Sequence, residues 1–320
     1  MLENLETINW NALNQPEMPQ WIRNLTSKNE KIRDEAFDDI RDSYIHERPD
    51  LAKHVVPFVV EILSDQNTVA DVALLLHFMY TLRINAIYFI QRNSAVEESL
   101  NVIKSVDSGI DIYRVLATNE DDEIREEANS LLNYIDFANL STAIIGDLSN
   151  ALFQVSHHQT TMLTSAILNA ERIFVAGKGR TGLQMRAFAM RLMHLGLTMY
   201  VVDDVTTPAI QAGDLLIIGS GSGRTASLVR YTERSTEIGA TLATITGNID
   251  SPIADNASIV VHIPASNFKS GKAEATQFTL IMGSLFEHTL GLLCDLMTIQ
   301  LKAQLDVGED DMNKRHANLE

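Results

Sequence analysis

The sequence predicts a three-layer α/β domain on a five-stranded parallel sheet, preceded by an all-α helical-repeat domain. Three observations carry this. Gly109 is the single glycine before Gly146, although the chain holds 16. Residues 1–140 hold 25 acids against 12 Lys and Arg, whereas residues 141–320 hold 17 against 13, so the acidity lies in the front. The apolar pattern also changes, from a helical period in the front to short apolar runs alternating with helical stretches behind. The expected domains are 1–138 and 139–320.

In the front, Ile32, Ala36, Ile40 and Tyr44 recur every four residues and make one stripe of a helix over Asn29 to Tyr44. A second helix is expected from Asp50 to Leu63, with Pro49 at the turn and Pro57 bending its interior. The block Ile32-Arg33-Asp34-Glu35-Ala36 returns as Ile124-Arg125-Glu126-Glu127-Ala128. Two periods within that offset fit the ~40 to 47 residues of stacked helical pairs. The region therefore resembles a HEAT or armadillo solenoid of about three units, and a plain acidic helical bundle fits the same pattern. His46, His54 and His77 have no metal-binding spacing.

A helical stretch from Ser141 to Ala170 leads into the back half. There the expected strands are Arg172 to Ala176, Thr198 to Val202, Asp214 to Gly219, Thr241 to Thr246 and Ser258 to Ile263. Their near-continuous apolar character suits a parallel sheet covered on both faces. Helices are expected over Thr181 to Leu195, Thr225 to Ile238 and Gln277 to Gln304.

Composition narrows the function. A net charge of −17 repels phosphate backbones and anionic lipid, so neither nucleic acid nor a membrane is an expected partner. Apolar runs such as Val55 to Leu63 are shorter than the ~18 to 20 residues that span a bilayer. The start MLENLETINW lacks a secretory pattern, and the one cysteine, Cys294, permits neither an internal disulfide nor a cysteine metal site. The expectation is a cytoplasmic protein.

Two junctions between strand and helix carry chemistry. After the third strand comes Ser220-Gly221-Ser222-Gly223-Arg224-Thr225, whose glycines let backbone approach an oxyanion and whose hydroxyls can donate to it. After the first comes Gly177-Lys178-Gly179-Arg180-Thr181-Gly182, with two cations and a hydroxyl. Gly177, Gly179 and Gly182 also match the GxGxxG spacing of dinucleotide sites, with Asp203-Asp204 as the ribose-binding acid. That reading stays open but leaves the serine-rich loop unexplained. Neither loop is a Walker A motif.

At these residues the chain resembles a known family. Ser220 to Thr225 is similar to the SxSGxT phosphate loop of sugar isomerase (SIS) domains, which have a flavodoxin-like fold. The segments AGKGRTGL, FAMRLMHLG, TTPAI, GDLLIIGSGSG, MGSLFE and RHANLE resemble the 6-phospho-3-hexuloisomerase family of the ribulose monophosphate pathway of formaldehyde fixation, over about residues 141–320.

The resemblance implies conversion of D-arabino-hex-3-ulose 6-phosphate to fructose 6-phosphate through a 2,3-enediolate, without metal or cofactor. It implies Glu287 as the base, Glu274 as the reserve candidate, and His316 as a proton shuttle reaching a neighbouring subunit of a dimer or tetramer. Ser220, Gly221, Ser222, Gly223, Thr225, Gly177, Gly179, Arg180 and Thr181 are the expected substrate and phosphate contacts. Four departures stand out: Arg224 for an acid, Asp203-Asp204 for Gly-Glu, Leu280 for a polar residue and His288 for Gln. Arg224 would strengthen phosphate binding and Leu280 weaken sugar recognition. The rival expectation is a sugar-phosphate sensor that binds without turnover and signals through a partner of the helical domain.

Overall fold

The computed structural model describes residues 2, 4–43, 45–65, 68, 70–265 and 279–319. They fall into two compact units, Met1–Asn139 and Leu140–Glu320.

Among its described residues the first unit holds no strand, and its α-helices are α1 (Met18–Asn24), α2 (Glu30–Asp42), α3 (Pro49–Ser64), α4 (Val72–Gln91), α5 (Val96–Asp107), α6 (Ile110–Leu116) and the start of α7 (Asp122–Phe153). Its core joins Leu51, Val55, Val59 and Ile62 of α3 to Leu75, Leu76, Met79 and Leu82 of α4. Helix α3 continues through Pro57. By length and composition α4 is long and apolar enough to cross a membrane, which corrects the expectation that no segment is. Arg83, 2% exposed in this helix, is held by Asp107 at 2.7 Å and lies over the Tyr134 ring. Such anchoring suits the core helix of a folded unit.

The recurring block has a structural counterpart. Asn29 caps α2 by accepting from the Lys31 N–H at 3.1 Å, and Asp121 accepts from Glu123 at 2.9 Å. Arg33 reaches back to the Ser27 carbonyl and Arg125 to the Asn119 carbonyl, both at 2.9 Å. Ala36 and Ala128 are both buried. The two helix starts thus use one capping arrangement at equivalent positions.

In the second unit follow α8 (His157–Asn169), β1 (Ile173–Ala176), α9 (Gly179–His194), β2 (Met199–Val201), β3 (Leu215–Ser220), α10 (Ala226–Ile238), β4 (Thr241–Thr246), α11 (Pro252–Asn256), β5 (Ile259–His262), α12 (Ser284–Gln304) and α13 (Glu309–Lys314). The five strands among the described residues lie at the expected places. They pair in parallel in the order β2-β1-β3-β4-β5.

Alternate strand residues face opposite ways. Ile173, Val175, Leu215, Ile217, Ala243 and Ile245 pack with α8, α9 and α12. Phe174, Ala176, Leu216, Ile218 and Leu242 face Leu228 of α10 and Ile253 of α11. Cys294 is buried on α12 in the first of these layers.

Two helix expectations change. The stretch from Ser141 to Ala170 is broken between Phe153 and His157, where Ser156 caps α8. The last long helix begins at Ser284 rather than Gln277, because Met282 and Gly283 take left-handed backbone angles of φ 54° and 83°. Residues 277 and 278 lie outside the described residues.

Candidate active site

Strand order reverses between β1 and β3, so the chain leaves those two C-terminal ends toward opposite faces and opens a crevice between them. Open α/β sheets bind ligands at this point. A cavity of about 320 Å³ occupies it, lined by Lys178, Arg180 and Thr181 from the first junction, Ser220, Ser222 and Thr225 from the second, and Phe286 and Glu287 from α12.

The second junction is held from below and from the side. The buried Thr246 hydroxyl, on β4, donates to the Ser220 carbonyl at 2.7 Å and fixes the end of β3. Asn248 donates to the Ser222 carbonyl at 3.3 Å, and the Ser251 hydroxyl donates to the Asn248 carbonyl at 2.7 Å. Within the loop, Ser220 Oγ accepts from the Gly223 N–H at 3.1 Å and Ser222 Oγ from the Arg224 N–H at 3.3 Å. Both hydroxyls keep a proton to donate. Thr225 stands at the N-cap of α10 without using its side chain there, so the free N–H groups of that first turn and the helix dipole favour an anion.

Glycine is required here for two reasons. Gly223, which does not itself line the cavity, has φ 64°, and a Cβ would lie 2.0 Å from Ser251 Oγ. At Gly177, outside the cavity lining, a Cβ would lie 2.9 Å from the Gly182 Cα, so this pair lets α9 pack against the end of β1. Gly179 lines the cavity, and Gly221 lies against the Phe286 ring.

Across the cavity stands Glu287, in the first turn of α12, with its side chain 16% exposed. Arg180 Nε lies 2.9 Å from Glu287 Oε2. The buried Oε2 nevertheless has no hydrogen-bond partner, so the contact is an ion pair out of line with the N–H. Arg180 Nη2 also meets His288 Nε2 at 3.3 Å. Arg180 thus holds the Glu287 carboxylate at the wall of a cavity rich in donors.

The expected residues Gly179, Arg180, Thr181, Ser220, Gly221, Ser222, Thr225 and Glu287 thus share one cavity. His316 does not join them within this chain. It stacks on His194 with ring centroids 5.3 Å apart and lines a separate cavity with Arg191, Asp295 and Lys302. Glu274 lies outside the described residues.

Of the departures, Arg224 does not line the cavity and donates to the Asp250 carbonyl at 2.6 Å, and Leu280 packs against the core. Asp203 and Asp204 are engaged by Lys178 and Arg186 respectively.

Sequence reasoning did not place Thr246, Asn248 or Phe286 at the site. The polar run Thr246-Gly247-Asn248 at the end of the next strand was the available signal for the first two, since it falls on the same sheet edge.

The SIS domain family model matches residues 166–287, which include both junction loops and Glu287. A 3-hexulose-6-phosphate isomerase of Mycobacterium gastri is 40% identical over 186 residues, 58% of this chain and 92% of that protein. The chain belongs to the SIS-domain family. The 3-hexulose-6-phosphate isomerase of Bacillus subtilis is 37% identical over 55% of this chain and 95% of its own length. A crystal structure described as a hypothetical protein is similar with a TM-score of 0.53 and 33% identity, covering 57% of this chain and 97% of that one.

Proposed function

We propose that this sugar-phosphate isomerase of the SIS family interconverts D-arabino-hex-3-ulose 6-phosphate and fructose 6-phosphate. The observation that carries the reading is the placement of Glu287, held by Arg180, across one cavity from the Ser220 to Thr225 loop. The names of the Mycobacterium and Bacillus relatives supply the substrate.

The phosphate sits at the start of α10, among the hydroxyls of Ser220, Ser222 and Thr225. This holds the carbon chain in register with Glu287. Glu287 takes the C2 proton, the C2–H electrons form the C2=C3 bond, and the C3 carbonyl oxygen becomes the enediolate oxygen. A proton then passes from O2 to O3. Glu287 returns its proton to C3 as the C2 carbonyl forms. Arg180 lies close enough to Glu287 to stabilise charge developing near that carboxylate.

The proton between O2 and O3 is assigned to His316 of a neighbouring copy in a homo-oligomer. Leu183 and Met190 of α9, with Leu292, Leu296 and Ile299 of α12, are exposed apolar residues suited to covering by a second copy. The test mixes Glu287→Gln and His316→Asn chains: activity regained in hybrids supports shared sites. Residues 1–138 are read as a HEAT-like unit that binds a protein partner, supported by the repeated capping arrangement.

The deciding measurement couples hexulose 6-phosphate turnover to fructose 6-phosphate detection. Glu287→Gln is expected to lower turnover by roughly 10²- to 10⁴-fold with the phosphate still bound. Ligand-induced thermal stabilisation of the wild type without turnover overturns the enzyme in favour of the sensor.

A further inference from the structure

The first junction carries a charge arrangement that proton transfer at Glu287 does not use. Lys178 lines the cavity, yet its ammonium is paired with Asp203, which follows β2. Asp203 is itself gripped by Tyr231 of α10, whose hydroxyl lies 2.7 and 3.0 Å from the two carboxylate oxygens. The Lys178 ammonium also stands 5.5 Å from the centre of the Tyr231 ring. Three elements thus converge on one cation at the edge of an anion site.

The backbone at Asp203 makes the arrangement more specific. Its φ of 79° lies in the left-handed region, where glycine costs least and Asp or Asn is tolerated better than other side chains. The turn has a second anchor, because Arg186 grips the Asp204 carboxylate in two hydrogen bonds of 2.9 and 3.2 Å. Removing the Asp203 carboxylate therefore leaves the turn tied to α9.

We propose that Asp203 is an internal counter-anion for Lys178, competing with the ligand's phosphate for that ammonium and thereby setting how tightly the cavity holds anions. The inference rests on the sugar-phosphate reading of the cavity. A paired Lys178 presents a dipole to an incoming dianion; an unpaired one presents a full positive charge on a flexible stem. Tyr231 is the positioning residue that keeps Asp203 aimed at Lys178. The hydrogen bonds from Lys178 and Tyr231 hold the Asp203 carboxyl below the usual carboxylate range, so it remains an anion at neutral pH.

The prediction is one of opposite signs. Both side chains are about half exposed, so screening limits the effect to roughly threefold to fivefold. Asp203→Asn and Asp203→Gly should each tighten the binding of inorganic phosphate by about that factor. Lys178→Met should weaken it, and Tyr231→Phe should shift it in the Asp203→Asn direction by less. In a Lys178→Met background the gain from Asp203→Asn should shrink, as a double-mutant cycle requires of coupled groups. The gain should also diminish at high salt.

Calorimetric titration of the full-length variants with inorganic phosphate and with fructose 6-phosphate, alongside their thermal transitions, tests this. A folded Asp203→Asn protein that binds phosphate no more tightly than the wild type overturns the counter-anion role, as does an equal gain without Lys178. Wild type that binds neither probe overturns the sugar-phosphate reading instead.

Discussion

The two junction loops stand at neighbouring strand ends, and each opens a helix, but they are built on different principles. The loop from Ser220 to Thr225 offers neutral donors and is scaffolded by the next strand and the turn after it, through Thr246, Asn248 and Ser251. The loop from Gly177 to Gly182 offers cations, and each is already paired with a carboxylate: Lys178 with Asp203 and Arg180 with Glu287. Neutral donors fixed in place need no rearrangement when an anion arrives. Paired cations exchange one partner for another, which makes the first loop the place where affinity can be tuned and the second the place where geometry is set.

Substitutions can break or sharpen this contrast. The largest expected effect is Gly223→Ala. A left-handed φ together with a Cβ placed 2.0 Å from Ser251 Oγ should cost about 3 kcal/mol in chemical denaturation. Gly179→Ala is the matched control in the other loop. Its φ of 59° is also left-handed, but no atom lies within 4 Å of a Cβ, so the cost should stay at about 1 kcal/mol. Equal costs would show that the two loops are equally constrained and remove the distinction.

The smallest effect concerns acid. Asp203 is held low by Lys178 and then by Tyr231, so its contribution to stability is present above the ordinary carboxylate pKa of about 4 and is lost as pH falls below it. Because the pair is exposed, that loss should stay below about 1 kcal/mol. Denaturation midpoints of wild type and Asp203→Asn should approach each other on acidification. A difference that widens there reverses the expected sign.

The strands were legible because each is a nearly continuous apolar run between turn residues, a pattern with few alternatives in a parallel sheet. The start of α12 was not, since Thr279 to Gly283 reads as helix-compatible and only the backbone angles at Met282 and Gly283 delay it to Ser284. Ser156 did signal the break before α8, with Gln159 three residues on, but the helical period on either side masked it.

At the site, hydroxyl and glycine spacing revealed the Ser220 loop because its chemistry is local in sequence. The Lys178–Asp203–Tyr231 arrangement was hidden because its members come from three elements, and which carboxylate a lysine finds is decided by the turn after β2. Arg224 shows the converse. Its place beside the loop suggested phosphate contact, whereas the Asp250 carbonyl takes its guanidinium.

Cys294 has a practical consequence. It is the one thiol in the sequence, buried on α12, and burial pushes its pKa far up, which withholds the reactive thiolate. A thiol-specific reagent added to the native protein therefore finds no thiolate to modify until that helix lifts from the sheet. The rate of single-site labelling becomes a clock for opening events around Glu287, read by mass shift without any introduced probe.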